Sequence, residues 1–206
     1  MNRCVIIAGA DINNYENAKK YLKDDDFIIC CDCGLRHLQK LNVKPDLIVG
    51  DFDSHKNPHL PVETIVLPCE KDDTDTGFAV KEALKRGAND FLFLGVIGNR
   101  FDHSFANISI LLMLDTLGKS ALAIDDFSEL QIISSQKAFI SDKFSFFSLL
   151  NVSGTAEGIS IKNAKYPLEN AIIKSEDQYG ISNQVLPNQI AEVSIQKGRL
   201  LLIRVK

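Results

Sequence analysis

A series of short apolar runs in the first 125 residues constrains the fold of this chain more than any other feature. The runs are rich in Val, Ile and Leu, and the segments between them carry apolar residues at helical spacing. Strands that are apolar on both faces are typical of a parallel sheet covered by helices on both sides. The predicted strands are residues 3–8, 27–32, 47–50, 63–67, 90–95 and 120–125. The predicted helices are residues 14–22, 35–41, 76–86 and 103–117.

The pattern changes near residue 127, where helical spacing gives way to strand-like alternation bounded by Gly, Asn, Ser and Pro. Such alternation is typical of antiparallel strands. The predicted strands are residues 138–140, 143–150, 158–161, 189–196 and 200–205, with Lys197-Gly198 as a hairpin turn between the last two. We therefore expect a mostly parallel, Rossmann-like α/β domain over residues 1–126, followed by a small antiparallel β-sandwich domain over residues 127–206.

Composition excludes several classes of protein. A net charge of −4, with Lys and Arg spread along the chain, argues against nucleic-acid binding. The apolar run near the start is too short for a membrane span or a signal peptide, so we expect a cytoplasmic protein without a membrane partner. The odd number of cysteines argues against a disulfide framework. Zinc held by Cys30, Cys31 and Cys33 with His55 and His59 is a less favoured alternative.

Two aspartates follow the third predicted strand. Asp51 and Asp53 come two residues apart, directly after the apolar run that ends at Gly50. In an open α/β sheet, ligands bind beyond the carboxyl ends of the strands. Mg²⁺ prefers carboxylate oxygens and keeps waters and phosphate oxygens as further ligands. This motif therefore indicates a metal site, and the alternative is an Asp-rich turn that caps backbone groups.

A second acidic cluster, Lys71-Asp72-Asp73-Thr74-Asp75, lies between the next strand and a helix. Helix capping explains Thr74 and Asp75, because both residue types are favoured in the first turn of a helix. It explains three aspartates less well, since like charges repel unless a cation or a proton intervenes. Two acidic clusters at successive strand ends therefore predict a shared divalent metal.

Two further strand ends carry candidate ligands. The loop after the fifth strand contains Gly98 and Arg100, and Arg100 can bind phosphate oxygens through two parallel hydrogen bonds. Asp102 is either a helix cap or an acceptor for a ligand. The second strand ends in Asp32-Cys33-Gly34, which could meet a nucleotide or its metal, or form only a tight turn.

These motifs, in this order, resemble the thiamine pyrophosphokinase (thiamine diphosphokinase) family over nearly the whole chain. The family pattern is a DGG turn, PDLIVGDFDS, KDxTD, GxRxDH and a late SN pair. The corresponding segments here are Asp32-Cys33-Gly34, residues 45–54, residues 71–75, residues 98–103 and Ser182-Asn183. Cys33 departs from the pattern, and it would be strained if the family glycine needs a positive φ angle.

The resemblance implies a Mg²⁺-dependent homodimer with active sites between its subunits. The reaction would transfer the diphosphoryl group of ATP to the hydroxyl of thiamine and release AMP. The implied acidic catalytic residues are Asp51, Asp53, Asp72 and Asp75, with Asp51, Asp53 and Asp75 as metal ligands. The implied ATP-binding residues are Asp32, Gly34, Lys71, Thr74 and Arg100. The implied thiamine-binding residues are Asp102, Ser182 and Asn183, and for Asp102 we favour a binding role over that of a base.

Two other functions use similar residues. Hydrolases that form an aspartyl phosphate also place a DxD motif after an apolar strand, but they place it at the first strand, whereas this motif follows the third. A non-catalytic sensor of nucleotide or thiamine would retain the same binding residues. Release of AMP separates the sensor from the enzyme.

Overall fold

The computed structural model describes residues 3–53, 59–70 and 72–206. Within it the chain forms two compact units, Met1–Asp126 and Phe127–Lys206. Lys71, which the family resemblance assigns to ATP, lies outside the described residues, as do Ser54 and His55.

The first unit contains a parallel sheet. Its strands, in chain order, are β1 (Arg3–Ile7), β2 (Phe27–Cys31), β3 (Leu47–Gly50), β4 (Glu63–Val66), β5 (Asp90–Leu94) and β6 (Ser120–Ile124). They lie side by side in the order β4-β3-β2-β1-β5-β6, and every neighbouring pair is parallel. Ile6 and Ile7 point to opposite faces of β1, and both are fully buried. Burial on both faces is the reason that β1, β2, β3 and β5 read as continuous apolar runs, whereas the edge strand β4 has no buried residue.

Helices connect the strands of the first unit. They are α1 (Tyr15–Lys19), α2 (Leu35–Leu41), α3 (Asp75–Lys85) and α4 (Phe101–Thr116), and a short 3₁₀ turn, Asp32–Gly34, precedes α2. Ala18 of α1 and Leu41 of α2 share one core with Val5 and Ile7. Full burial of the Val5 or the Ile7 side chain stabilises the fold by about 1.5–3 kcal/mol. In the described part of the chain, none of the four helices combines the length and apolar character needed to cross a bilayer.

The order of the strands reverses between β1 and β5. The chain adds β2, β3 and β4 successively on one side of β1, and it then returns to place β5 on the other side. In open α/β sheets, a crevice opens at such a reversal, beyond the carboxyl ends of the strands. The fold therefore places a ligand crevice next to the loops that follow β1 and β5.

The second unit is built from antiparallel strands. These are β7 (Ser128–Ile133), β8 (Ala138–Ser141), β9 (Phe146–Asn151), β10 (Thr155–Lys162), β11 (Leu168–Lys174), β12 (Ile190–Ser194) and β13 (Leu200–Val205). β13 lies between β7 and β9, and a separate sheet has the order β11-β10-β12-β8. Apolar residues of both sheets, such as Leu149 and Val193, form one core. The predicted fold class, α/β followed by a β-sandwich, is confirmed.

Two details of the second unit differ from the sequence prediction. β7 and β11 were not among the predicted strands. The predicted hairpin at Lys197-Gly198 is wrong, because β12 pairs with β10 and β8, whereas β13 pairs with β7 and β9. The backbone of Lys197 instead exchanges hydrogen bonds of 2.8 and 3.1 Å with Glu157. This segment therefore carries the chain from one sheet to the other.

Candidate active site

A cleft of about 520 Å³ opens at the carboxyl ends of the parallel strands of the first unit. Its walls come from the loops after β1, β2, β3 and β5 and from the first turns of α3 and α4. The loop after β1 contributes residues 8–11, and the loop after β5 contributes residues 95–100 apart from Ile97. The cleft therefore lies at the reversal of strand order, where the fold predicts a ligand crevice.

Three aspartates meet in this cleft. Asp32 follows β2, Asp51 follows β3, and Asp75 is the first residue of α3. One carboxylate oxygen from each lies within 4.8 Å of the other two. Asp32 is 2% exposed, and Asp51 and Asp75 are partly buried. We call Asp32, Asp51 and Asp75 the carboxylate triad. The structure thus brings Asp32, which the family resemblance assigned to ATP, together with two of the expected metal ligands.

Two glycines allow the triad to assemble. A Cβ atom added to Gly50 would lie 2.5 Å from Cβ of Asp32 and 2.9 Å from its Cγ. A Cβ atom added to Gly34 would lie 2.3 Å from the carbonyl oxygen of Ile7. Any side chain at either position would push the turn after β2 away from its neighbours. Gly34 therefore brings the turn against β1, and Gly50 brings the end of β3 against Asp32.

Cys33 fits this turn without backbone strain. It lies in the 3₁₀ turn and is not among the residues with positive φ angles. The space for its side chain comes from Gly9, because a Cβ atom at residue 9 would lie 2.4 Å from Cβ of Cys33. The departure from the family's DGG pattern is thus accommodated by a glycine in the loop after β1.

The residue between the two aspartates of the DxD motif has an unusual backbone. Phe52 has a φ angle of 57°, a left-handed conformation that bulky residues rarely adopt. The backbone N–H of Asp53 donates to Oδ1 of Asp51 over 3.2 Å. Asp53 is exposed and lies outside the carboxylate triad. The strained turn therefore gives the two carboxylates of the motif different environments.

The donor set of the triad suits a hard divalent cation. Oδ1 of Asp32 accepts a hydrogen bond from the backbone N–H of Cys33. Oδ2 of Asp32 is buried and has no hydrogen-bond partner among the residues that the structure describes. Leaving a buried charged oxygen unsatisfied costs more than the roughly 1–3 kcal/mol of a neutral group. A cation bound by the three carboxylates would satisfy this oxygen and offset their mutual repulsion.

The second acidic cluster has a mixed environment. Asp72 and Thr74 are exposed, and Asp73, which lines the cleft, accepts a hydrogen bond of 2.5 Å from Nζ of Lys81. The hydroxyl of Thr74 accepts from the backbone N–H of Gly77 over 3.1 Å and so caps α3. Thr74 is therefore a helix cap, as the capping interpretation predicted, and it also lines the cleft.

Arg100 and Asp102 form an exposed pair at the start of α4. Nε and Nη2 of Arg100 donate to the two carboxylate oxygens of Asp102 over 2.9 and 2.6 Å. This arginine holds the pKa of Asp102 well below the ordinary carboxyl value, so Asp102 is a weak proton acceptor. The loop before the pair is fixed by α4, because Asn107 donates to the carbonyl of Val96 over 2.7 Å and the Ser104 hydroxyl accepts from the N–H of Gly98 over 3.0 Å.

The two candidate residues of the second unit differ in exposure. Ser182 is exposed, has a φ angle of 57°, and donates its backbone N–H to Oγ of Ser148 over 3.0 Å. Asn183 is 2% exposed. Its side chain accepts from the N–H groups of Tyr166 and Gln184 over 3.0 and 2.9 Å and donates to the carbonyl of Tyr166 over 2.8 Å. Asn183 therefore fixes the loop, whereas Ser182 is exposed to solvent.

The cysteines of β2 do not favour a zinc site. Cys30 and Cys31 are buried, and burial raises the pKa of both thiols, which keeps them protonated. Zinc binds thiolates. Among the described residues, the group of side chains placed to hold a metal is the carboxylate triad. The zinc alternative therefore receives no support from the described part of the chain.

Sequence reasoning missed the part of the cleft formed by the loop after β1. Asp11 and Arg36 both line the cleft, and Nη2 of Arg36 donates to Oδ1 of Asp11 over 2.7 Å. The one signal for this loop was Gly9 directly after the first apolar run. Arg36 lies within a segment of helical spacing, where charged residues are ordinary surface residues.

Comparison with known proteins gives a consistent result. The family model described as "Thiamin pyrophosphokinase, catalytic domain" matches residues 18–122, and the one described as "Thiamin pyrophosphokinase, vitamin B1 binding domain" matches residues 132–200. The thiamine pyrophosphokinase of Bacillus subtilis (strain 168) is 26% identical over 207 residues, which cover 97% of this chain and 96% of the relative.

Solved structures share the fold. The crystal structure of thiamine pyrophosphokinase from Bacillus subtilis has a TM-score of 0.88 and 23% identity, covering 100% of this chain and 99% of that one. The structure of the enzyme from Geobacillus thermodenitrificans has a TM-score of 0.84 and 24% identity, covering 99% and 97%. Because the catalytic-domain model alone spans half of the sequence, we conclude that this chain belongs to the thiamin pyrophosphokinase family of kinase-type transferases, as its motifs predicted.

Proposed function

We propose that the protein transfers the diphosphoryl group of ATP to the hydroxyl of thiamine, giving thiamine diphosphate and AMP. The observation that carries this proposal is the carboxylate triad inside a cleft of about 520 Å³. That volume lies within the range of about 300–1,000 Å³ that is typical of small-molecule sites. Membership of the family supports thiamine as the acceptor.

Asp32, Asp51 and Asp75 are the proposed ligands of Mg²⁺. The buried, unsatisfied Oδ2 of Asp32 supports this assignment. Asp53 stays a candidate ligand, because its exposed carboxylate lies on the same turn as Asp51. Asp72, which is also exposed, is a proposed acidic residue of the site at the carboxyl ends of the strands. When bound, Mg²⁺ supplies positive charge that offsets the charge on the phosphate oxygens.

The residues of the chain align the two substrates. The thiamine hydroxyl oxygen forms a bond to the β-phosphorus, the bond from that phosphorus to the oxygen of the α-phosphate breaks, and the hydroxyl proton is released. Such a transfer depends mainly on alignment and on electrostatic stabilisation of the phosphate oxygens. Arg100 at the cleft, Lys71, and the first turn of α3 at Thr74 are the proposed phosphate-binding groups, and Gly34 lets the turn that carries Asp32 lie close to β1.

Thiamine recognition is assigned to Asp102 and Ser182, with Asn183 fixing the loop of Ser182. The low pKa of Asp102 favours a role as hydrogen-bond acceptor over that of a base. We also propose a homodimer with active sites at the subunit interface, an assignment that rests on the family. Light scattering should then report about twice the chain mass of 22.9 kDa.

The proposed location is the cytoplasm, where ATP is available and thiols stay reduced. All five cysteines of the chain are free. Free thiols are usual in reducing compartments, which supports this location.

Purified protein incubated with ATP, thiamine and Mg²⁺ provides the test. Mass spectrometry should detect thiamine diphosphate and AMP in equal amounts, with no AMP when thiamine is omitted. A protein that binds both ligands but releases no AMP would be a sensor, and the proposed function would be wrong. Hydrolysis of a phosphate ester without formation of thiamine diphosphate would equally contradict it.

A further inference from the structure

Arg36, in the first turn of α2, lies on the wall of the cleft outside the motifs that define the family. Its side chain is 41% exposed. Nη2 donates to the carbonyl of Gly9 and to Oδ1 of Asp11, the latter over 2.7 Å, and Nε faces Nε2 of His37 at 3.3 Å. Nη1 therefore has no hydrogen-bond partner among the described residues, and it can donate to a ligand in the cleft.

The position of Arg36 is fixed by its surroundings. Nε2 of His37 lies 2.9 Å from the carbonyl oxygen of Ala10, and Nδ1 lies 2.8 Å from the hydroxyl of Tyr15. The backbone N–H of Ala10 donates to the carbonyl of Gly95 over 2.7 Å. The loop after β1 is thus held between α2 and the end of β5. The guanidinium of Arg36 is already held by hydrogen bonds to this loop, so it loses little conformational entropy when it binds a ligand.

The charges of the cleft indicate what Arg36 would bind. In the described part of the chain, the aspartates that line the cleft are Asp11, Asp32, Asp51, Asp73 and Asp75. The arginines that line it are Arg36 and Arg100, and no lysine does so among the same residues. Arg100 already uses two of its nitrogen atoms on Asp102. Nη1 of Arg100 and Nη1 of Arg36 both lack a hydrogen-bond partner among the described residues, so Arg36 gives the cleft wall a second terminal nitrogen that can bind an anion.

We propose that Arg36 is a further phosphate-binding residue of this cleft, which grips a phosphate of the nucleotide through Nη1 while Asp11 holds the guanidinium in place. Arginine suits this role because its planar group can bind phosphate oxygens and stays charged at every physiological pH. The inference rests on the proposed function for the nature of the ligand, and it adds a binding residue that the family motifs do not contain.

The test measures binding without turnover. The probe is α,β-methylene-ATP, in which the bond that diphosphoryl transfer breaks is replaced by a stable one, and the comparison ligand is adenosine, which has no phosphate. Calorimetry on the full chain with Mg²⁺ should show that Arg36→Gln weakens binding of the analogue by about 10- to 100-fold, the range for a charge-assisted hydrogen bond. Binding of adenosine should stay unchanged, and Arg36→Lys should recover part of the loss.

A matched control is Arg86→Gln. Arg86 also binds a carboxylate, with bonds of 3.1 and 2.5 Å to Glu63, but it does not line the cleft. This variant should bind the analogue as the parent protein does. If Arg36→Gln weakens adenosine and the analogue equally, Arg36 only fixes the loop, and the inference is wrong.

The outcome can be separated from failure of the proposed function. If the parent protein forms thiamine diphosphate and AMP but Arg36→Gln binds the analogue at full affinity, the inference alone fails. If the parent protein forms neither product, the proposed function fails, whereas a selective loss of analogue binding in Arg36→Gln would still assign Arg36 to phosphate.

Discussion

Replacing Asp32 by asparagine should change stability in opposite directions without and with Mg²⁺. Asp32 is 2% exposed, and its carboxylate shares a space with two others within 4.8 Å. At that separation, each pair of charges repels by about 3 kcal/mol for an effective dielectric constant of about 20. Solvent at the partly buried Asp51 and Asp75 screens part of this repulsion. Without metal, we therefore expect Asp32→Asn to raise the free energy of unfolding by about 1–3 kcal/mol.

The asparagine keeps the local structure. Its Oδ1 can still accept from the backbone N–H of Cys33, and its new Nδ2 can donate to a neighbouring carboxylate. With Mg²⁺ at about 1,000 times its dissociation constant, the parent protein gains about 4.1 kcal/mol. The variant has lost a charged ligand and should gain much less, so the order of the two melting temperatures should reverse.

Thermal unfolding with EDTA and with a series of Mg²⁺ concentrations is the assay. A chain of this length shifts its Tm by about 2–4 °C for each kcal/mol. The control is Asp73→Asn, because Asp73 lines the same cleft but binds Lys81 and lies outside the triad. That variant should keep the full response to Mg²⁺. A lower Tm of Asp32→Asn in EDTA together with an unchanged response to Mg²⁺ would refute the metal assignment.

Three further predictions concern the two aspartates of the DxD motif, the Ser182 loop and the buried His37. Asp51→Asn or Asp53→Asn should lower kcat/KM by about 100-fold or more while leaving the protein folded, and EDTA should lower the activity of the parent protein in the same way. Near-normal turnover of either variant at low Mg²⁺ would contradict this. Ser182→Ala should raise the KM for thiamine by about 2- to 12-fold and leave the KM for ATP unchanged. Asn183→Ala should instead lower the Tm, because it removes buried hydrogen bonds worth about 1–3 kcal/mol. Equal KM changes for both substrates in Ser182→Ala would show that Ser182 serves only the turn. Burial, and then the charge of Arg36, lower the pKa of His37 in the folded state. The unfolded state therefore binds the proton more tightly, and stability falls as the pH drops below about 6.5. His37→Gln should flatten the fall in Tm between pH 7.5 and 5.5, and an unchanged slope would show that His37 does not cause it.

The sequence predicted the first unit well because burial on both faces gives β1, β2, β3 and β5 continuous apolar runs. It predicted the second unit less completely. β7 is SELQII and β11 is LENAIIK, and each mixes charged and apolar residues without clean alternation. β12 and β13 follow each other closely in the chain, which favoured a hairpin. Packing of the two sheets on one core separates them instead, and local sequence does not reveal that choice.

The site shows the same limits. The motifs around Asp51 and Asp75 were visible because aspartates follow apolar runs at strand ends. The closeness of Asp32 to Asp51 depends on Gly50, whose missing side chain leaves room for the aspartate, and that contact is evident only in three dimensions. Similarly, the part played by Gly9 in accommodating Cys33 joins two distant segments. The left-handed backbone of Phe52 could not be predicted from the sequence, because glycine is the residue that usually marks such a conformation.

The most direct test of the central claim follows the phosphorus atoms of ATP during the reaction. Purified protein is incubated with thiamine, Mg²⁺ and ATP carrying ³²P at either the α- or the γ-position, and the products are separated by chromatography. Transfer of the diphosphoryl group predicts that the γ-label appears in thiamine diphosphate and the α-label in AMP. A γ-label found in thiamine monophosphate or free phosphate, with the α-label in ADP, would contradict it.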